Sequence, residues 1–162
     1  MKSGKGIDKH ASFEAVITNM RILGLDYGEK RIGVAVSDEL GFTAQGVTVL
    51  ERKNRRTDME ALRRLIMEYE VEKVVVGYPV RMDGTKGIQC EKVDRFTRLL
   101  EETFGLPVFL QEELLTTKEA EEILREAGTG RKKRKAVVDK LAAVLILRSY
   151  LDRPAISSTP EA

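Results

Sequence analysis

"ILGLDYGEKRIGVAVSD", residues 22 to 38, holds two apolar runs joined by the polar turn "YGEK". That pattern predicts two antiparallel strands, 21–26 and 31–37, in a hairpin. Asp26 stands late in the first run, where another Val or Ile would pack better. Taken alone it reads as the residue that starts the turn, since Asp before a glycine-containing loop is common. The rest of the chain decides whether it is more than that.

A third strand is expected around 47–50, in "QGVTVLE". Next comes a helix in "TDMEALRRLIMEYE", with Met59, Leu62, Leu65, Ile66 and Tyr69 on one face and Thr57 or Asp58 as its cap. "KVVVGYP" is a short continuous apolar run, the mark of a strand buried on both faces. After the loop "VRMDGTKG", residues 88 to 104 predict a helix with Val93, Phe96, Leu99, Leu100 and Phe104 turned inward. "PVFLQEE" is read as another buried strand. Thr116 and Glu119 form a capping box that opens a helix to about Ala127, ended by Gly128 and Gly130. "RKKRK", residues 131 to 135, is read as a basic loop, followed by a last helix, "AVVDKLAAVLILRSYLD". The order β-β-β-α-β-α-β-α-α describes an α/β domain: three antiparallel strands, then parallel strands, in a mixed sheet flanked by helices.

Composition narrows the function. The 162 residues are 42% apolar and 33% charged, with a net charge of +2, which suits one soluble domain and not a generic nucleic-acid sponge. No apolar run is long enough for a membrane span. Residues 1–19 lack a signal-peptide pattern and read as an N-terminal extension. The domain is expected over 20–152, with 153–162 as a loose tail. The single cysteine, Cys90, allows no internal disulfide and points to a cytoplasmic setting. The only histidine, His10, lies in the extension, so neither a His-dependent triad nor a His/Cys zinc site fits the domain. Neither GxxxxGK[ST] nor GxGxxG is present. Any catalysis falls to carboxylates, lysines or hydroxyls, and carboxylates favour a hard ion such as Mg²⁺ or Mn²⁺.

Three carboxylates stand out. Asp26 lies in the first strand. Glu113 closes "VFLQEE", where a capping or dipole role is the plain alternative. Asp139 lies in an apolar helix with Ala142 and Ala143 at i+3 and i+4, leaving room for close approach; an exposed first-turn Asp is the plain alternative. Ligands of open α/β sheets bind beyond the carboxyl ends of the strands, where three acids from distant segments can converge. Clustered carboxylates repel unless protonated or bound to cations. Replacing Asp139 by Asn is therefore expected to stabilise the metal-free protein. Two divalent ions there would clamp a phosphodiester, and Asp26 would forgo packing to hold metal.

"ILGLDYGEKRIGVAVSD", "VVGYPVRMDGTKG", "EELLTT" and "VVDKLAAVLIL" occur in that order and together resemble the YqgF (RuvX-like) family over residues 20 to about 152. That family is described as Holliday-junction resolvases or pre-16S rRNA processing nucleases with an RNase H-like fold. The resemblance implies Asp26, Glu113 and Asp139 as catalytic and metal-binding acids, Mg²⁺ or Mn²⁺ as cofactor, and precursor rRNA or branched DNA as substrate. It departs at Leu114, where the family usually carries arginine. Candidate phosphate contacts are Lys30, Arg31, Arg81, Lys86 and the run Arg131, Lys132, Lys133, Arg134 and Lys135; solvated surface is the simpler reading of Lys30, Arg31 and the run, and a plain surface loop the alternative for Arg81 and Lys86. Tyr27 and Tyr78 belong to the core or stack on a base. A monomer or a homodimer is expected, and symmetric cutting of a four-way junction would need a two-fold dimer. Two other classes compete. An actin-like ATPase lobe is disfavoured by the single-lobe length and by Glu29 in the turn. The second is a non-catalytic nucleic-acid- or ribosome-binding factor.

Overall fold

The structure is a computed structural model that describes residues 21–80, 83–112 and 131–153, the first six residues of the last segment as backbone alone. In chain order the elements are β1 (Ile22–Tyr27), β2 (Arg31–Ser37), β3 (Ala44–Glu51), α1 (Arg55–Glu68), β4 (Lys73–Tyr78), α2 (Ile88–Phe104), β5 (Val108–Glu112) and α3 (Arg131–Leu151). The sheet order is β3-β2-β1-β4-β5. β1, β2 and β3 pair antiparallel, whereas β4 is parallel to both β1 and β5. This is the mixed sheet that the RNase H-like resemblance implies.

Strand side chains alternate between faces, so the central strands β1, β2 and β4 serve two cores. Leu23, Leu25, Ile32, Val34, Val74 and Val76 pack with Met59 and Leu62 of α1 and with Val93, Phe96 and Leu100 of α2. Ile22, Ala35 and Val75, on the other face, pack with Ala143, Ile146 and Leu147 of α3. The continuous apolar run of β4 is thereby explained, since both of its faces are covered. Two glycines let α3 approach closely. A side chain at Gly24 would meet Leu147, and one at Gly33 would collide with the backbone carbonyl of Asp139.

Four local expectations change. Asp26 is not a turn residue: it lies inside β1, paired with Gly33, and Tyr27 continues the ladder opposite Ile32. α1 is capped by Asn54, whose side chain accepts the Thr57 N–H at 2.8 Å, and not by Thr57 or Asp58. Asp58 is buried and turns back to accept the Lys53 N–H at 3.0 Å. "RKKRK" opens α3 and is not a loop; Lys and Arg are good helix formers, and a charge run carries no backbone information of its own. Asp139 is therefore the ninth residue of that helix, well past its first turn. β5 is not buried on both faces, because it is an edge strand with Phe109 and Leu110 38% and 40% exposed. The helix expected from Thr116 to Ala127 lies outside the described residues.

Candidate active site

Alternation along β1 and β2 puts Asp26, Arg31 and Gly33 on the side of the sheet that α3 covers. Asp26 and Gly33 are cross-strand partners. The Asp139 backbone lies directly over Gly33, at the distance that only a missing Cβ permits. Asp26 and Asp139, separated by most of the chain, thus flank one glycine. Two residues before Gly33, the Arg31 guanidinium reaches the same helix, where its Nε donates to Asp139 Oδ2 at 2.7 Å. Both side chains are about a quarter exposed, so the pair sits at the boundary of protein and solvent. The charge on Asp139 is balanced by Arg31, which the sequence did not disclose.

β1, β4 and β5 run parallel, so their carboxyl ends share one rim. Asp26 lies at that rim. β5 reaches it at Glu112, opposite Tyr78 of β4. Glu113, the next residue in sequence, lies outside the described residues, as do Arg81 and Leu114. Among the described residues no group of three or more His, Cys, Asp or Glu side chains is placed to hold a metal ion. The two acids that the structure does bring together offer hard carboxylate oxygens, the donor type that suits Mg²⁺ or Mn²⁺.

The remaining candidates fall in different places. Lys30 is exposed in the β1–β2 turn, and its carbonyl accepts the Arg52 N–H at 2.8 Å. Lys86 is exposed, with its ammonium 5.5 Å from the centre of the Tyr78 ring. Arg131, Lys132, Lys133, Arg134 and Lys135 form the first five residues of α3 by backbone. Tyr27 is a packing residue: its ring stacks on Phe96 with centroids 4.0 Å apart, and Arg52 covers it at 4.5 Å. Tyr78 is buried, and its hydroxyl donates to Asp94 Oδ2 at 3.2 Å. Burial first, and the Asp94 carboxylate second, push its pKa up to about 12. Sequence reasoning missed the Arg31–Asp139 pair and the role of Gly33. An isolated glycine inside a strand is a signal of close backbone approach, and Gly24 and Gly33 both carried it.

A family model described as "RuvX: Holliday junction resolvase" matches residues 20–153. A protein of Syntrophus aciditrophicus (strain SB), named "Putative pre-16S rRNA nuclease", is 62% identical over 133 residues, which span 82% of this chain and 89% of that protein. A protein of the same name from Geobacillus sp. (strain WCH70) is 53% identical over 135 residues, 82% of this chain and 98% of that protein. Among solved structures, the chain is similar to the Fowlpox virus resolvase in complex with substrate Holliday junction DNA, with a TM-score of 0.49 and 12% identity over 82% of this chain and 97% of that one. It is also similar to T. thermophilus RuvC in complex with a Holliday junction substrate, with a TM-score of 0.48 and 17% identity over 81% and 94% of the two chains. Among the described residues no helix is long and apolar enough to cross a membrane.

Proposed function

The chain belongs to the RuvX family, and on that premise we propose that it is a metal-dependent nuclease of the cytoplasm that processes the 5′ end of precursor 16S rRNA. The observation that carries this reading is the meeting of Asp26 and Asp139 around Gly33, beside the carboxyl ends of the parallel strands. The names of the relatives supply the substrate class. Asp26 and Asp139, with Glu113, would hold Mg²⁺ or Mn²⁺, which when bound supplies charge stabilisation at the phosphoryl oxygens and an activated nucleophile.

The protein's own groups do the rest. Arg31 balances the charge of Asp139 and would offer its guanidinium, a planar donor suited to phosphate, at the same rim. Lys30 and Lys86 are exposed cations for the nucleic-acid backbone, together with Arg81 and the five cations that open α3. They set affinity and register and take no part in bond breaking.

A second reading, resolution of branched DNA, is favoured by the description of the matching family model. One assay separates the two. Precursor rRNA ends and a four-way DNA junction are offered side by side, with Mn²⁺ or with EDTA, to the wild type and to Asp26→Asn. Cleavage of the RNA that needs metal and disappears in Asp26→Asn is expected. Junction cleavage alone selects the second reading. Activity that survives EDTA, or that persists in Asp26→Asn, removes the acids from the chemistry.

A further inference from the structure

On the opposite face of the sheet from Asp26 and Asp139, a cleft of about 590 Å³ opens between α1, α2 and the β1–β2 turn. We propose that it binds the phosphate backbone of a single-stranded nucleic-acid segment, whatever its bases. Arg52, Lys53, Arg55, Lys92, Arg95 and Arg98 line it, against the three carboxylates of Glu29, Asp58 and Glu102. The whole chain carries a net charge of only +2, so this excess is a local concentration. The connection from β3 to α1 supplies Arg52 and Lys53, and α1 opens with Arg55. The other three recur at every third position of α2 and so share one side of that helix.

Two of the six have carboxylate partners. Lys92 Nζ lies 3.1 Å from Glu29 Oε1, and Arg52 Nε lies 3.7 Å from Asp58 Oδ2. Among the described residues no carboxylate stands within ion-pair distance of Lys53, Arg55, Arg95 or Arg98. Cations held together around one cleft repel each other, and an anion with several spaced charges relieves that repulsion. The shape and the lining choose the kind of anion. The volume matches pockets that hold small ligands, which suits a nucleotide or two of a single strand entering the cleft. Of the two aromatic rings in the lining, Phe96 is buried, and Tyr27 is already stacked on Phe96 and overlaid by the Arg52 guanidinium. Recognition is left to phosphate.

Arg52 links the cleft to the candidate active site. Its Nη1 donates to the carbonyls of Gly28 and Glu29 at 3.0 and 3.1 Å, tying the cleft wall to the turn that follows Asp26 and Tyr27. A strand cut at the acids would pass around the end of this hairpin into the cleft. That route rests on the nuclease reading, whereas binding in the cleft does not.

The test measures binding without chemistry. Anisotropy of labelled single-stranded RNA and DNA of mixed sequence is followed in EDTA over a range of salt, using the full chain carrying Asp26→Asn. Adding Arg55→Ser, Arg95→Ser and Arg98→Ser should weaken binding to all sequences alike. It should also flatten the slope of log K against log salt by about 2, at ~0.7 per phosphate contact on single strands. Arg55→Lys, Arg95→Lys and Arg98→Lys should retain the slope. So should Arg64→Ser, Arg148→Ser and Arg153→Ser, which remove the same charge elsewhere. Equal flattening by both serine triples, or none by the cleft triple with the fold intact by circular dichroism, overturns the proposal. Displacement of the oligonucleotide by inorganic phosphate or a mononucleotide at matched phosphate concentration also overturns it, since the site would then take free phosphate. Loss of cleavage in the nuclease assay with slopes as expected would sink the enzymatic reading and leave the cleft standing.

Discussion

Arg31 Nε and Asp139 Oδ2 lie 2.7 Å apart although 108 positions separate the two residues in sequence. The pair reverses an expectation drawn from clustered acids. Asp139→Asn in metal-free buffer removes the charge that partners a part-buried guanidinium and should lower stability by about 1–2 kcal/mol, between an exposed ion pair and a buried charged hydrogen bond. Arg31→Met should lose a similar amount, and the double variant less than the sum. Thermal melts of all four proteins in EDTA give the coupling. Additive losses would mean that the pair contributes nothing.

Adding Mn²⁺ extends that experiment. If Asp139 holds metal, Arg31→Met frees its carboxylate from a competing cation. This variant should then gain more stability from Mn²⁺ than the wild type does, and Asp139→Asn should gain less. Melting shifts against metal concentration measure both, and identical shifts in all three proteins would remove Asp139 from the metal site.

Gly33→Ala places a methyl group against the Asp139 carbonyl. Backbone cannot swing aside as a side chain can, so α3 must move away from β2. A loss of about 1–3 kcal/mol follows. Nuclease activity should fall further than stability accounts for, because the shift parts Asp139 from Asp26. Urea unfolding with single-turnover cleavage checks both, and an alanine that leaves both unchanged would show that the approach is not tight.

Tyr78 gives a pH signature. Its pKa stands at about 12 in the fold against an ordinary 10.0, so folding favours the protonated phenol. The stabilisation is complete below pH 10 and declines as pH rises through 12. Tyr78→Phe should be less stable at neutral pH and should show a shallower fall in stability across that window. Denaturant melts at several alkaline pH values decide it; parallel curves for the two proteins would contradict the raised pKa.

Removing the cap of α1 is a local test of the fold. Asn54→Ala loses the bond to the Thr57 N–H and should cost about 1 kcal/mol, while Thr57→Ala should cost much less. Equal losses would return the capping role to Thr57.

The basic start of α3 sets affinity against stability. Its first turn carries no acid, and cations there oppose the helix dipole. Replacing Arg131 and Lys132 with Glu should add about 0.3–1 kcal/mol per residue. It should also weaken nucleic-acid binding and reduce its salt dependence. Tighter binding, or a lower melting temperature, would contradict this.

Periodicity and turn chemistry are local, and the sequence by itself determined what depends on them. The three opening strands, α1, β4, α2 and β5 stand in the expected order, because apolar spacing of 2 or 3.6 is written within a few residues. The doubly buried β4 was legible for the same reason. Tertiary structure decided whatever depends on which segments become neighbours. Asp26 was expected late in the first strand, but whether it also started the turn was decided only by its pairing with Gly33 and the continuation of the ladder to Tyr27. "VFLQE" looked buried until the strand order put it at an edge. "RKKRK" looked like a loop because charge says where solvent is and not how the backbone turns. The meeting of Asp139 with Arg31, and with the backbone of Gly33, follows from the way α3 crosses the sheet. Hydrophobic spacing says which face of a helix is buried, but the strands it lies on, and therefore which side chains come to share a site, are settled only when the chain packs.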